Sequence, residues 1–269
     1  MDRNLNIAAI EDNVIWGDRK ANLEQLQKNL DHVPAATDIV ILPEMFSTGF
    51  ITDKRQALSL AERNTEETIV QLQKIASQRR LAIAASFIAR TAGQVYNRAL
   101  FVEPSGETTF YDKRHLFTMA GEAGVYRPGT SPTPTLRFRG WNVRLLVCYD
   151  LRFPVWCRNT EGASCDLMIF VANWPKPRQS AWTTLLQARA IENLCYVCGA
   201  NRSGTDLAGI EYSAGSSVVV DYKGNIVAGG KSDSGNVNIV SATLDIERLR
   251  NFRDKFPAWK DADNFTVEI

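Results

Sequence analysis

Short unbroken runs of apolar residues recur along the chain, and between several of them apolar positions return every third or fourth residue. The first pattern predicts strands buried on both faces, and the second predicts helices lying on a sheet. Residues 5–10 open the chain as a strand, and residues 18–30 follow as a helix with Leu23, Leu26 and Leu30 on one face. Residues 38–42 form a second strand stopped by Pro43, residues 65–79 a second helix and residues 81–87 a third strand. Then the pattern changes. Residues 95–102 and 108–111 flank Glu103-Pro104-Ser105-Gly106-Glu107 and predict a hairpin, which adds antiparallel strands. A loop with Gly121-Glu122 and Arg127-Pro128-Gly129 leads to a strand over residues 143–147. Further strands are predicted at residues 167–171, 196–200, 217–221 and 237–242, with a turn at Tyr222-Lys223-Gly224-Asn225. Residues 178–193 read as a helix largely covered through Leu185, Leu186, Ala188, Ala190 and Ile191, and Asp245 caps a terminal helix.

Strands alternating with helices, plus a few hairpins, predict an α/β fold in which helices lie outside a mixed sheet system. The 269 residues suit one domain, 1–269, with a substantial core. Basic and acidic side chains nearly cancel, 31 against 30, and no Lys/Arg run is long enough to grip nucleic acid or an anionic membrane. Neither is expected as a partner. The N-terminus lacks the basic-then-apolar layout of a secretory signal, and no apolar run nears the ~20 residues of a membrane span. A soluble, cytoplasmic protein is therefore expected. Five cysteines, an odd number, fit free thiols in a reducing compartment better than a disulfide framework. Cys195-Tyr196-Val197-Cys198 has the spacing of a redox or zinc pair, and a module built on it is the non-enzymatic alternative. Residues three apart on a strand point to opposite faces, however, so this run reads as core. Only two histidines are present, His32 and His115, which excludes a multi-histidine metal site.

Candidate chemistry sits at strand ends. The run 143–147 stops at Cys148, and Pro154 follows as a residue able to open a helix, so Cys148 lies on a strand-to-helix elbow. Such an elbow presents a nucleophile rigidly, with the next backbone N–H groups near its sulfur. The plainer alternative is a half-buried cysteine that only packs. Glu44 closes the second strand between apolar neighbours, where desolvation raises a carboxyl pKa and suits it to take a thiol proton. Lys113, at the end of the hairpin, is expected to favour a thiolate and to stabilise an oxyanion. A Cys–His dyad would have to use His32 or His115 instead.

Leu42-Pro43-Glu44, Lys113-Arg114-His115-Leu116-Phe117 and Cys148-Tyr149-Asp150-Leu151-Arg152-Phe153-Pro154 resemble, in order, the three signature segments of the nitrilase or carbon–nitrogen hydrolase family. The resemblance extends through Gly121-Glu122, Ala172-Asn173-Trp174-Pro175, Ala188-Arg189-Ala190-Ile191-Glu192-Asn193, Asn201-Arg202 and Gly215-Ser216-Ser217. It departs at Val155, where many relatives carry an acid. It implies an α-β-β-α sandwich, a homodimer formed across the helical face, and a Glu44–Lys113–Cys148 triad with neither metal nor organic cofactor. It further implies that Glu122 positions substrate and Lys113, that the Tyr149 backbone N–H joins the oxyanion hole, and that His115 is not the base. Glu44-Met45-Phe46-Ser47-Thr48-Gly49-Phe50 and the Trp174 segment resemble the bacterial ω-amidases, which hydrolyse the terminal amide of 2-oxo dicarboxylate monoamides such as 2-oxoglutaramate and 2-oxosuccinamate. A small-molecule amide is then the expected partner. Arg178 is the expected clamp for its distal carboxylate, with Arg152 and Arg202 as rivals, and Phe117, Trp174 and Met45 are candidate pocket walls. Deaminated-glutathione amidases, aliphatic amidases and nitrilases are the alternatives within the family.

Overall fold

The computed structural model describes residues 4–159, 164–231 and 237–268; residues 1–3, part of the stretch read above for a signal, lie outside it. The first half runs β1 (Leu5–Glu11), α1 (Arg19–Asn29), β2 (Ile39–Ile41), α2 (Lys54–Leu60), α3 (Glu67–Arg79), β3 (Ala82–Thr91), β4 (Gln94–Val102) and β5 (Thr108–Asp112). The second half runs β6 (Thr135–Phe138), β7 (Trp141–Val147), α4 (Pro154–Cys157), β8 (Leu167–Ala172), α5 (Gln179–Asn193) and β9 (Tyr196–Asn201). It continues through β10 (Gly204–Thr205), β11 (Glu211–Tyr212), β12 (Val218–Val220), β13 (Ile226–Gly229), β14 (Asn238–Leu244) and α6 (Ile246–Lys255). Two six-stranded sheets result, ordered β14-β1-β2-β3-β4-β5 and β13-β12-β9-β8-β7-β6, with β10 and β11 forming a separate small ribbon. In each large sheet three neighbouring strands are parallel, β1-β2-β3 and β7-β8-β9, and the flanking strands are antiparallel.

The alternation within β2 shows why the layers form. Ile39 and Ile41 point into the core shared with the second sheet, whereas Val40 and Leu42 meet Leu23 and Leu26 of α1 and Ile69, Leu72 and Ile75 of α3. A strand covered on both sides has no face to give to water, so it reads as an unbroken apolar run. On the second sheet α5 presses Trp182 and Leu186 onto β9, where Gly199 leaves the room: an added Cβ would lie 2.4 Å from a Leu186 methyl. Helix, sheet, sheet, helix is the arrangement, an α-β-β-α sandwich.

Several elements were not foreseen. The stretch expected to be loop before residue 143 contains β6, which pairs antiparallel with β7, and the turn at 222–225 leads into β13. α2 is a further addition, with Ala57 its one buried residue. The helix at α5 is less covered than its leucines suggest: Leu186 and Ala190 are buried, but Ile191 is 52% exposed. Cys195 and Cys198 are free, fully buried thiols in the core, as their spacing predicts.

Candidate active site

The C-terminal ends of three parallel strands and of β5 each deliver a polar side chain to one site. β2 is followed by Glu44, β7 by Cys148 and β8 by Asn173, while β5 runs directly into Lys113. Glu122 comes from a 3-10 turn (Glu122–Gly124) in the loop that follows. The first sheet and the loop after it thus supply the carboxylates and the ammonium, and the second sheet supplies the thiol and Asn173.

Lys113 is the hub of this group. Its Nζ donates to Glu44 Oε1 at 2.9 Å and to Glu122 Oε1 and Oε2 at 3.0 and 2.9 Å, with all three side chains essentially inaccessible. Burial alone would push the lysine pKa down, but the carboxylates of Glu122 and Glu44 outweigh it and hold the ammonium well above its ordinary value. Glu122 shifts upward, because its own burial and the nearby Glu44 charge exceed the help from Lys113 and the Phe117 N–H. Glu44 was expected to lie among apolar neighbours. Its surroundings are instead rich in donors: Oε1 also accepts from Asn97 Nδ2 at 2.7 Å, and Oε2 accepts from Asn173 N at 2.9 Å and Asn173 Nδ2 at 3.3 Å.

Cys148 adopts φ = +43°, a left-handed conformation that an L-residue holds only when its surroundings impose it. Asp150, two residues on and fully buried, supplies that constraint. Its Oδ2 accepts from Val147 N at 3.1 Å and Tyr111 OH at 2.9 Å, and its Oδ1 accepts from His115 N at 3.0 Å and pairs with His115 Nδ1 at 2.8 Å. Trp156 Nε1 donates to the same Tyr111 hydroxyl, and the Phe153 ring stacks on His115 at 3.7 Å. The elbow is thereby bolted to the strand end that carries Lys113. His115 is held in this lock and is not among the residues that line the cleft with Cys148, so the cleft gives no place to a Cys–His dyad through it. Burial and the charges of Glu44 and Glu122 push the Cys148 pKa well above its ordinary value, and the opposing Lys113 charge does not reverse this. Lys113 does favour the thiolate, as expected, but burial and the two carboxylates outweigh it.

Cys148 opens on a cleft of ≈ 290 Å³. Phe117, Trp174, Arg178, Arg152 and Tyr149 line it together with Glu44, Lys113 and Asn173. Trp174 is fixed by Asn201, whose Oδ1 accepts its N–H at 2.7 Å, and by an Nε1 bond to Arg178 O at 2.8 Å. Met45 does not reach the cleft; it is fully buried with Ile51, Ala57 and Tyr126. Nor does Arg202, which is fully buried and donates to Asn13 Oδ1, Val14 O and Ser203 O. Asn97, Asn173, Asp150 and Tyr111 were given no role in the sequence reading. A signal existed for Asn97, since an amide inside an apolar strand is costly unless bonded. Among the described residues no group of three or more His, Cys, Asp or Glu is arranged to hold a metal ion.

Comparison with known proteins follows the same lines. Residues 6–254 match the carbon-nitrogen hydrolase family. The chain is 42% identical over 263 residues to omega-amidase YafV of Escherichia coli K12, with 98% of each chain covered. It is 29% identical to 2-oxoglutaramate amidase of Bacillus subtilis, covering 95% of this chain and 96% of that one. Its fold superposes with a TM-score of 0.91 on a CN-hydrolase superfamily protein of Xanthomonas campestris whose crystal structure carries an arsenic adduct in the active site; the two share 36% identity over 98% and 99% of their lengths.

Proposed function

Because the chain belongs to the carbon–nitrogen hydrolase family, we propose that it is an omega-amidase, releasing ammonia from the terminal amide of 2-oxo dicarboxylate monoamides such as 2-oxoglutaramate and 2-oxosuccinamate. The observation that carries this reading is the placement of the Cys148 thiol on a small cleft backed by the Glu44–Lys113–Glu122 network. Glu44 takes the thiol proton as the sulfur attacks the amide carbonyl. Lys113 Nζ and the Tyr149 backbone N–H receive the oxyanion, each well-placed donor being worth ~2.7–4 kcal/mol. Glu44 returns the proton to the departing nitrogen, ammonia leaves, and an acyl thioester remains on Cys148. Water, deprotonated by Glu44, then cleaves the thioester to the 2-oxo acid and restores the thiol. Glu122 holds Lys113 and, through its Oε2, the Phe117 N–H at 2.6 Å, so it positions both the ammonium and a wall of the cleft. Phe117 and Trp174 pack against the carbon chain of the substrate, and Arg178 takes its distal carboxylate.

Two further points belong to the same reading. Val155 on α4 and Ile191 on α5 expose apolar side chains on the helical side of the second sheet, a face suited to a homodimer. All five cysteines are free, which suits a reducing, cytoplasmic setting. The test is ammonia release from 2-oxoglutaramate by the protein and by Cys148→Ala, beside butyramide, deaminated glutathione and a simple nitrile. Release from the 2-oxo amide, abolished by a variant that still folds, is the expected result. Preference for another of the four compounds would retain the mechanism and overturn the substrate.

A further inference from the structure

Three cationic side chains line the cleft, and their situations differ. Lys113 is neutralised by Glu44 and Glu122. Arg152 and Arg178 have no carboxylate partner and no side-chain hydrogen bond among the described residues; each guanidinium lies over an aromatic ring instead. Arg152 Cζ sits 5.0 Å from the Trp174 ring centroid and Arg178 Cζ 5.2 Å from that of Phe117. The rings beneath them are tied into the site, Phe117 through its N–H to Glu122 and Trp174 through its indole N–H to the Arg178 carbonyl. Stacking of this kind orients a guanidinium fork while leaving its donors free.

The carboxylates lining the cleft are, by contrast, fully engaged. Glu44 accepts from Lys113, Asn97 and Asn173. Asp206 closes its own loop: Oδ1 accepts from the N–H groups of Ala208 and Ile210, both at 2.9 Å, and Oδ2 accepts from Tyr212 OH at 3.0 Å. Among the described residues the outer cleft therefore offers two free cations and no free anion.

We propose that Arg152 and Arg178 act as a pair that reads the α-carbon of the substrate, gripping a carboxylate with its adjoining ketone oxygen and turning away an α-ammonium. The inference rests on the amide hydrolysis proposed above. When the terminal amide lies against Cys148, the far end of the molecule meets the two guanidiniums. A 2-oxo acid presents acceptors there, on two adjacent carbons, one for each fork. An α-amino acid of the same length replaces the ketone oxygen by an ammonium, which finds like charge and no acceptor to replace its water. The sequence offered Arg178 as the clamp with Arg152 and Arg202 as rivals; Arg152 lines the cleft beside Arg178 and Arg202 does not, so in this proposal Arg152 and Arg178 act together as a filter between the 2-oxo acid amide and the amino acid amide.

The experiment compares kcat and KM on 2-oxoglutaramate, glutaramate (the same chain without the ketone) and glutamine. It uses the unaltered protein, Arg152→Gln, Arg178→Gln, the double variant and the two Arg→Lys variants. Losing one charge-assisted hydrogen bond is expected to lower kcat/KM on 2-oxoglutaramate roughly 10- to 100-fold, mainly through KM. The ratio of kcat/KM for glutamine to that for 2-oxoglutaramate is expected to rise about tenfold or more in the double variant, and to stay low in the lysine variants, which keep the charge. Because that ratio is taken within one preparation, a misfolded fraction cancels. An unchanged ratio in the double variant overturns the pair while leaving the amidase reading intact. An unaltered protein that turns over none of the three compounds overturns both.

Discussion

At Cys148 two opposing fields meet: the Lys113 ammonium favours a thiolate, while burial and the two carboxylates favour the thiol and prevail. The consequence for stability has a definite sign. Below the unfolded thiol's pKa of ~8.5 both states are protonated; above it the unfolded chain loses its proton first, so folding stability falls as pH climbs from there toward the raised folded value. Thermal unfolding between neutral pH and pH ~9.5 should therefore show the unaltered protein losing Tm more steeply than Cys148→Ala, and parallel slopes would contradict the shift. Lys113 carries a larger stake. Removing a buried ammonium from between Glu44 and Glu122 leaves two carboxylates facing each other, so Lys113→Met should cost about 3–5 kcal/mol in chemical denaturation and abolish turnover. Glu44, Lys113 and Cys148 were legible as candidates because strand ends are where chemistry sits. The partners that fix them, Asn97 and Asp150, were not, since their bonds span 53 and 35 residues of sequence.

The elements most readable in advance are those with a fully apolar run or a clear apolar stripe. β2, β8 and α3 have such patterns, with every residue of β2 and β8 buried. β13 was missed because, at the edge of its sheet, it buries no residue and so shows no alternation to detect. α2 escaped for a related reason, burying only Ala57 of its seven residues. The α5–β9 contact offers a test at this scale. Gly199→Ala places a methyl within 2.4 Å of Leu186 and 2.6 Å of Trp182, so overpacking is expected to cost about 1–3 kcal/mol and to lower Tm by several degrees. An unchanged Tm would mean that α5 is free to ride outward.

For the molecule as a whole, local patterning conveyed the α/β class but not the neighbours. That β14 lies beside β1 depends on pairings such as Leu5 with Leu244, which no window along the sequence can contain. The sandwich came from the family resemblance. The apolar outer face behind the second sheet carries the remaining expectation. Ile191→Glu, a charge placed at an exposed position on α5, should convert a dimer to a monomer in sedimentation velocity, whereas a monomeric unaltered protein would dismiss that interface. The β1–β14 pairing has a consequence during biosynthesis. A ribosome makes β1 well before β14, and all seven residues of β1 find their antiparallel partners there. Until then the nascent first sheet carries an open apolar edge, so the growing chain depends on chaperone cover or on speed until β14 emerges.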